Sequence, residues 1–456
     1  MSARFAHIEE VRRHKSSLLG AAIALTALVV SITTESFADD WPQWLGPQRD
    51  GVWREDGIIQ RFPNGGLKAK WRVEAAGGYS GPAVADGRVF LTDYVRESGD
   101  PTNGPSRINE LTGTERVQCF DAETGKRLWV HEASQDYALS YPAGPRATPT
   151  VHDGMVYAFG AMGKLWCLKA SNGDVVWSKD LKTTYKAKTP IWGFCGHPLV
   201  DGNRLICLVG GEGSVAVALN RHTGEEVWAA VSAREAGYAP PTIIEAGGTR
   251  QLLIWDADKL NSLNPETGKV FWSQPLQPDY GMSIMAPQKH GDLLFASGIG
   301  NVGAAFRLSG ERPAADLVWK GDAKTGVYCA NSTPQIVDGV IYGVCCRRGQ
   351  LRGVELTTGK RLWETFEPTS GGRGAGHATA FLTRNGNRWF LFNELGDLII
   401  ANLTRDGYEE ISRTHLIEPT GEAFGRSVVW TAPAFANRCV FVRNDKELAC
   451  FSLAAE

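Results

Sequence analysis

Hydrophobic positions fall into two arrangements along this chain. One is a single uninterrupted apolar run, Leu18 to Ile32. The other is a succession of short apolar runs, each broken by a tight-turn signal: Val84-Ala-Asp86-Gly87-Arg-Val-Phe, Val151-His-Asp153-Gly154, Val200-Asp201-Gly202 and Val337-Asp338-Gly339. Looser versions stand at Ala246-Gly247-Gly248, His290-Gly291-Asp292, Asn385-Gly386-Asn387 and Ala436-Asn437. Asp-Gly and Asn-Gly accept the positive φ angles of two-residue hairpins, so each marks a strand, a turn and a second strand. The eight turns lie mostly about 45 to 51 residues apart, and the longer first gap of 67 holds a polar loop from Arg96 to Arg116.

A second unit interleaves with the first. Cys119-Phe-Asp-Ala-Glu-Thr-Gly125-Lys-Arg-Leu-Trp129 returns as Cys167…Gly173…Trp177, Ala218…Gly224…Trp228, Ser262…Gly268…Trp272 and Gly353…Gly359…Trp363. Ala305 to Trp319 is a copy carrying an insertion, and Ala401…Gly407 runs on to Ile411 in the tryptophan's place. Each full period is therefore four strands, two around the Asp-Gly turn and two around the Thr-Gly turn. A repeating four-stranded unit of this length is a propeller blade. The eighth period, near Ala432, Val440 and Leu448-Ala-Cys450-Phe451, stops without its Trp strand, and a matching strand, Leu67-Lys-Ala-Lys-Trp71-Arg-Val, stands at the start. The expected fold is all-β: an eight-bladed β-propeller of four-stranded blades, its ring closed by an N-terminal strand completing the C-terminal blade so that no edge stays open.

The pattern small-x-Asp-x-x-Thr-Gly-x-x-x-Trp resembles the tryptophan-docking motif of pyrroloquinoline-quinone (PQQ) repeat propellers. That family includes quinoprotein alcohol dehydrogenases and the outer-membrane assembly lipoprotein BamB. The likeness covers roughly residues 67 to 453, and the opening Trp41-Pro-Gln-Trp44-Leu-Gly-Pro-Gln-Arg-Asp-Gly51-Val resembles the start of many secreted bacterial PQQ-repeat proteins. It implies that Trp71, Trp129, Trp177, Trp228, Trp272, Trp319 and Trp363 are structural and dock between blades on the small residue of the repeat. Cys119, Cys167 and Cys450 then read as buried thiols packing as small hydrophobes.

The long apolar run follows Arg12-Arg13-His14-Lys15 and precedes Ser36-Phe37-Ala38. A basic region, an apolar core of about 15 residues and a small-x-small end make a signal peptide; a membrane span needs roughly 20. The division is 1–38 as leader, 39–66 as lead-in and 67–456 as propeller. The mature chain is expected to begin near Asp39, to lack a transmembrane segment and to act as a monomer in the periplasm or outside the cell. The first cysteine is Cys119, so a lipid anchor at the cleavage site is not expected. The formal net charge is −2 with no basic stripe, which argues against nucleic acid as partner.

Candidate chemistry is sparse. Cys345-Cys346 is the most specific local feature: adjacent cysteines can close a disulfide ring in an oxidising compartment, and quinoprotein dehydrogenases carry one over their cofactor, though in an early blade. The other expectation for the pair is one cysteine facing the core and its neighbour facing solvent. No carboxylate and amide trio for Ca²⁺ can be assigned by motif, no Cys-x-x-Cys occurs, and no metal site or catalytic residue is assigned. Connections from one blade's outer strand to the next blade's inner strand should gather on one face, as a ligand face carrying Tyr79, Arg146, Trp192, His197, Tyr238, Asn331, Arg373, His377 and Arg426. The leading expectation is a non-catalytic binding or scaffold propeller facing a protein or cell-envelope partner. The alternatives are a PQQ- and Ca²⁺-dependent alcohol or sugar dehydrogenase, with Cys345-Cys346, Arg146, Asn331 and Arg373 around the quinone, and a carbohydrate-binding propeller using Tyr79, Trp192 and Tyr238.

Overall fold

The computed structural model describes residues 39–455, and the expected leader, 1–38, lies outside them. The regular structure of the described chain is almost wholly antiparallel strand, in eight successive sheets and one small two-stranded hairpin. Blade 1 spans 83–134, blade 2 150–180, blade 3 199–230, blade 4 242–275, blade 5 288–320, blade 6 335–365 and blade 7 380–415. Blade 8 takes three strands from 434–452 and its fourth, Ala69–Glu74, from the other end of the chain. That strand pairs antiparallel with Glu447–Ser452, Trp71 opposite Cys450 and Val73 opposite Leu448.

Burial follows position within each blade. The second strands, such as Met155–Phe159, Arg204–Leu208 and Leu293–Gly298, are buried almost throughout, because sheets cover both their faces. The fourth strands alternate exposed and half-buried positions, as in Arg127–Ser134. In seven blades the docking tryptophan pairs across the strand with the small residue: Cys119 with Trp129, Cys167 with Trp177, Ala218 with Trp228, Gly353 with Trp363. For Trp71, Trp129, Trp177, Trp228 and Trp319 the ring then crosses to the next blade and lies on the glycine of its turn, while Gly407, in the turn after Trp363, meets no ring. A Cβ on Gly359 would stand 2.9 Å from Trp319, and one on Gly125 2.7 Å from Trp71. The indole N–H of Trp71, Trp129, Trp177, Trp228, Trp319 and Trp363 is donated to a backbone carbonyl there, at 2.7 to 3.1 Å. The docking surface is thus shared between the repeat's own small residue and the neighbour's glycine. Trp272 differs: beside the lengthened turn of blade 5 it donates to Gln251 Oε1 of its own blade, at 2.8 Å.

Two further expectations are corrected. In blade 7, Ala401 pairs with Glu410 and Ile400 with Ser412, so Ile411 is the unpaired bulge residue and does not take the tryptophan's ladder position. The polar stretch 96–116 is largely not a loop. Strands Arg88–Gly99 and Asn109–Asp121 stay paired as far as Gly99 opposite Leu111, so blade 1 projects as a long ribbon with a short tip.

The lead-in is part of the propeller. Trp41 bridges to Val84 of blade 1, Val151 of blade 2 donates to the Pro42 carbonyl, and Trp53 N–H bonds Arg384 of blade 7. Arg49 reaches the carbonyls of His197, Pro198 and Pro241 ahead of blades 3 and 4. Trp41, Trp53, Ile58 and Phe62 are buried with side chains of blades 1, 7 and 8.

Candidate functional site

The connections between blades line a single cavity of about 1200 Å³. Strands run down to the Asp-Gly and Thr-Gly turns on one face and return on the other, which leaves the longer connections together around the centre. The floor is the chain's own lead-in: Trp41, Trp44 and Leu45 face the cavity. Trp44 stacks on His197 with ring centroids 4.9 Å apart, and the Arg49 guanidinium lies 5.6 Å from the Trp44 ring. Over the mouth, the tip of the blade 1 ribbon meets the hairpin of Gly421–Ala423 and Arg426–Val428. Asn103 Nδ2 donates to the Glu422 carbonyl at 2.6 Å, and Pro105 and Ser106 line the opening.

Tyr79, Arg146, Trp192, His197, Tyr238, Asn331 and His377 all line this space; Arg373 and Arg426 do not. Arg146 is saturated by backbone, donating to the carbonyls of Trp192 at 2.7 Å, Ser140 at 2.9 Å, Tyr141 and Gly144, with Tyr79 under its guanidinium. It organises loops and has little left for a ligand. His197 Nδ1 accepts the Thr148 N–H at 2.9 Å. Burial, then the neighbouring Arg49 charge, holds this imidazole well below its ordinary pKa, so it stays neutral. Burial, then Arg426, lowers His377 in the same way. Asn331 donates to the His377 carbonyl at 3.1 Å, and the His377 ring stacks on Phe424 with centroids 4.9 Å apart. Arg373 is exposed. Arg426 is held behind the wall by the buried Glu394 carboxylate, at 2.8 Å.

The vicinal disulfide is not formed: Cys345 and Cys346 are separate thiols. Cys345 ends a strand and accepts from Arg352 at 3.0 Å, while the Cys346 N–H bonds the Tyr328 carbonyl. Cys346 is the first residue of the turn that follows, and the structure covers it as fully as its strand neighbour. Both thiols are therefore buried, away from the cavity lining, and neither faces solvent. Burial pushes the Cys346 thiol up to about 12.

Aromatic residues outside the candidate set complete the wall: Tyr141, Tyr280, Phe424 and Trp430. Tyr280 is 73% exposed and Phe424 49%. Trp44 stood out in the sequence as part of the opening Trp41-Pro-Gln-Trp44 motif, with nothing to place it at the cavity, and the Trp430 position carries no repeat signal. Among the described residues the Tyr238 hydroxyl, buried at the wall, has no hydrogen-bond partner.

Calcium takes six to eight oxygen ligands, several of them carboxylates. Among the described residues the only carboxylates lining this cavity are Glu212 and Glu235, both exposed. Glu394, the buried carboxylate nearby, is committed to Arg426 and to the Trp430 indole. Among the described residues no three His, Cys, Asp or Glu side chains converge as a metal site. The donor set does not fit a calcium-bound quinone.

Eight docked four-stranded sheets around one floored cavity define a repeat propeller of the PQQ type. The chain belongs to the family described as outer membrane protein assembly factor BamB, whose sequence model matches residues 67–230 and 113–312. It is 26% identical over 219 residues to the outer membrane protein assembly factor BamB of Yersinia pestis, covering 46% of this chain and 53% of that protein. It is 27% identical over 191 residues to the quinoprotein alcohol dehydrogenase PedH of Pseudomonas putida, covering 39% and 31%. The chain spans about half the length or less of these curated relatives. Among solved structures, BamB from Moraxella catarrhalis aligns over 85% of this chain and 99% of its own with a TM-score of 0.54 at 14% identity. Quinohemoprotein alcohol dehydrogenase from Comamonas testosteroni aligns over 91% and 81% with a TM-score of 0.60 at 15% identity. These likenesses bear on the fold alone. Among the described residues no helix is long and apolar enough to cross a membrane.

Proposed function

We propose that this chain is a non-catalytic, extracytoplasmic binding propeller that presents its loop-rich face to a protein or cell-envelope partner. The observation that carries this reading is the mouth of the cavity, where Tyr280 and Phe424 stand exposed on loops braced by the rigid ring. Exposed aromatic residues on a fixed scaffold are the anchors that interfaces use. The relatives named as assembly factors support a protein partner. In cells, a photo-crosslinking residue at Tyr280 or Phe424 should capture a discrete partner, and one at Asp338, in a turn of the opposite face, should not. Equal capture from both faces would refute the reading. Titration of the purified protein with PQQ and Ca²⁺ should leave its melting temperature unchanged. Stoichiometric binding with dye-linked alcohol oxidation would establish the dehydrogenase instead.

A second reading has its own observation. The unpartnered Tyr238 hydroxyl beside Trp192 offers a polar group next to an aromatic wall, which suits a saccharide ring. Calorimetry with neutral oligosaccharides, repeated on Trp192→Ala, tests it; no heat with any saccharide excludes it.

A further inference from the structure

Glu55 is buried, 9% exposed, and among the described residues no lysine, arginine or histidine side chain pairs with it. Its Oε2 accepts the Trp53 indole N–H at 2.7 Å and the Arg438 backbone N–H at 2.8 Å. Its Oε1 accepts one further donor, the backbone N–H of Asp39, at 3.2 Å. A buried carboxylate with no counter-charge is expensive to maintain, so the question is where its cation comes from. Asp39 is the residue at which the leader pattern ends, directly after Ser36-Phe37-Ala38.

We propose that the chain is processed between Ala38 and Asp39, and that the new α-ammonium group is the missing counter-ion of Glu55. Water adds across the Ala38–Asp39 amide, leaving a carboxylate on Ala38 and an amine on Asp39, which takes up a proton at neutral pH. The neutral amide N–H that touches Glu55 thereby becomes a charged donor in a half-dry site, where such bonds are roughly twice as strong as neutral ones. The place matters. Glu55 holds Arg438 of blade 8, and its own carbonyl accepts from Asn385 of blade 7 at 2.9 Å. Leader removal therefore tightens the seam where the two ends of the chain meet, and the unprocessed precursor is the less stable form. The inference rests on export of the chain and is independent of what the cavity holds.

The experiment begins with N-terminal sequencing of the protein recovered from the cell envelope; Asp39 is expected as the first residue. A leader left in place would overturn export itself, and cleavage elsewhere would overturn the site alone. The mature chain is then compared with one carrying a Gly-Ser extension before Asp39, each with and without Glu55→Gln. The extension should raise the equilibrium constant for unfolding about tenfold, the scale of a charged hydrogen bond, in the parent and much less in E55Q. The amine pairs with a carboxylate, so its folded pKa lies above the unfolded value of about 8. The advantage of the free amine is therefore full below pH 8 and fades as pH rises through the folded pKa. Asp39, Asp40, Asp86, Arg54, Arg438 and Cys439 also face this seam, and all are common to both chains, so the comparison cancels them. An extension equally harmful in E55Q, or a difference independent of pH, would overturn the counter-ion.

Discussion

Gly359 shows how much a single position in the repeat has to satisfy. Its φ of +73° is the left-handed region, and the Trp319 ring stands where a side chain would go. Gly359→Ala meets both penalties, backbone strain and overpacking, and should destabilise the protein by about 1–3 kcal/mol, read from denaturant unfolding. The glycine was legible in the sequence as part of the Thr-Gly turn. Its second task was not, because the ring that rests on it belongs to the previous blade. His197 makes the complementary point. Nothing in Cys-Gly-His-Pro reveals a neutral imidazole accepting the Thr148 N–H beneath Trp44. Its folded pKa lies below the unfolded value of about 6.5, so the unfolded chain takes up the proton more readily. The stabilising effect is complete above that pH and is lost as the solution is acidified. His197→Asn, which keeps an acceptor without the titration, should flatten the fall in melting temperature between about pH 8 and 5.

At the level of elements, the apolar periodicity and turn residues were enough to place the strands of most blades, because those strands are short, local and separated by tight turns. They failed where the ladder slips by one residue. The bulge at Ile411 depends on pairing energies that sequence spacing does not carry. The ribbon of blade 1 was hidden for a different reason: Arg96 to Arg116 is polar and reads as a loop, yet Arg116 and Gln118 are bound to the buried carboxylate of Asp93. Strand Ala69–Glu74 has the clearest consequence. A chain starting after Glu74 would leave Glu447–Ser452 as an open edge in blade 8. Such a truncation should aggregate, visible as high-mass species in size-exclusion chromatography.

For the whole molecule, what could be read in advance was the ring and the face on which its long connections gather. The floor was not readable, because the lead-in lies outside the repeat and its aromatic residues have no period to betray them. Trp41 and Trp44 bring the lead-in into the cavity lining, beside the connections of the blades. The cavity lining as a whole argues against the quinone reading: among the described residues it holds aromatic surface and two exposed carboxylates, where a calcium-bound cofactor would need several converging ones.

The pairing of Ala69 with Phe451 also has a consequence for biogenesis. A ribosome delivers the first of these residues hundreds of peptide bonds before the second, so the last seam cannot form while synthesis is under way. Seven blades can assemble in order as they emerge, since their contacts are local. The eighth must wait for the final strand and for a loop closure spanning nearly the entire polypeptide. Until then the nascent molecule is an open arc with unpaired strands at both ends, a state that chaperones and translocation machinery can hold before maturation seals it.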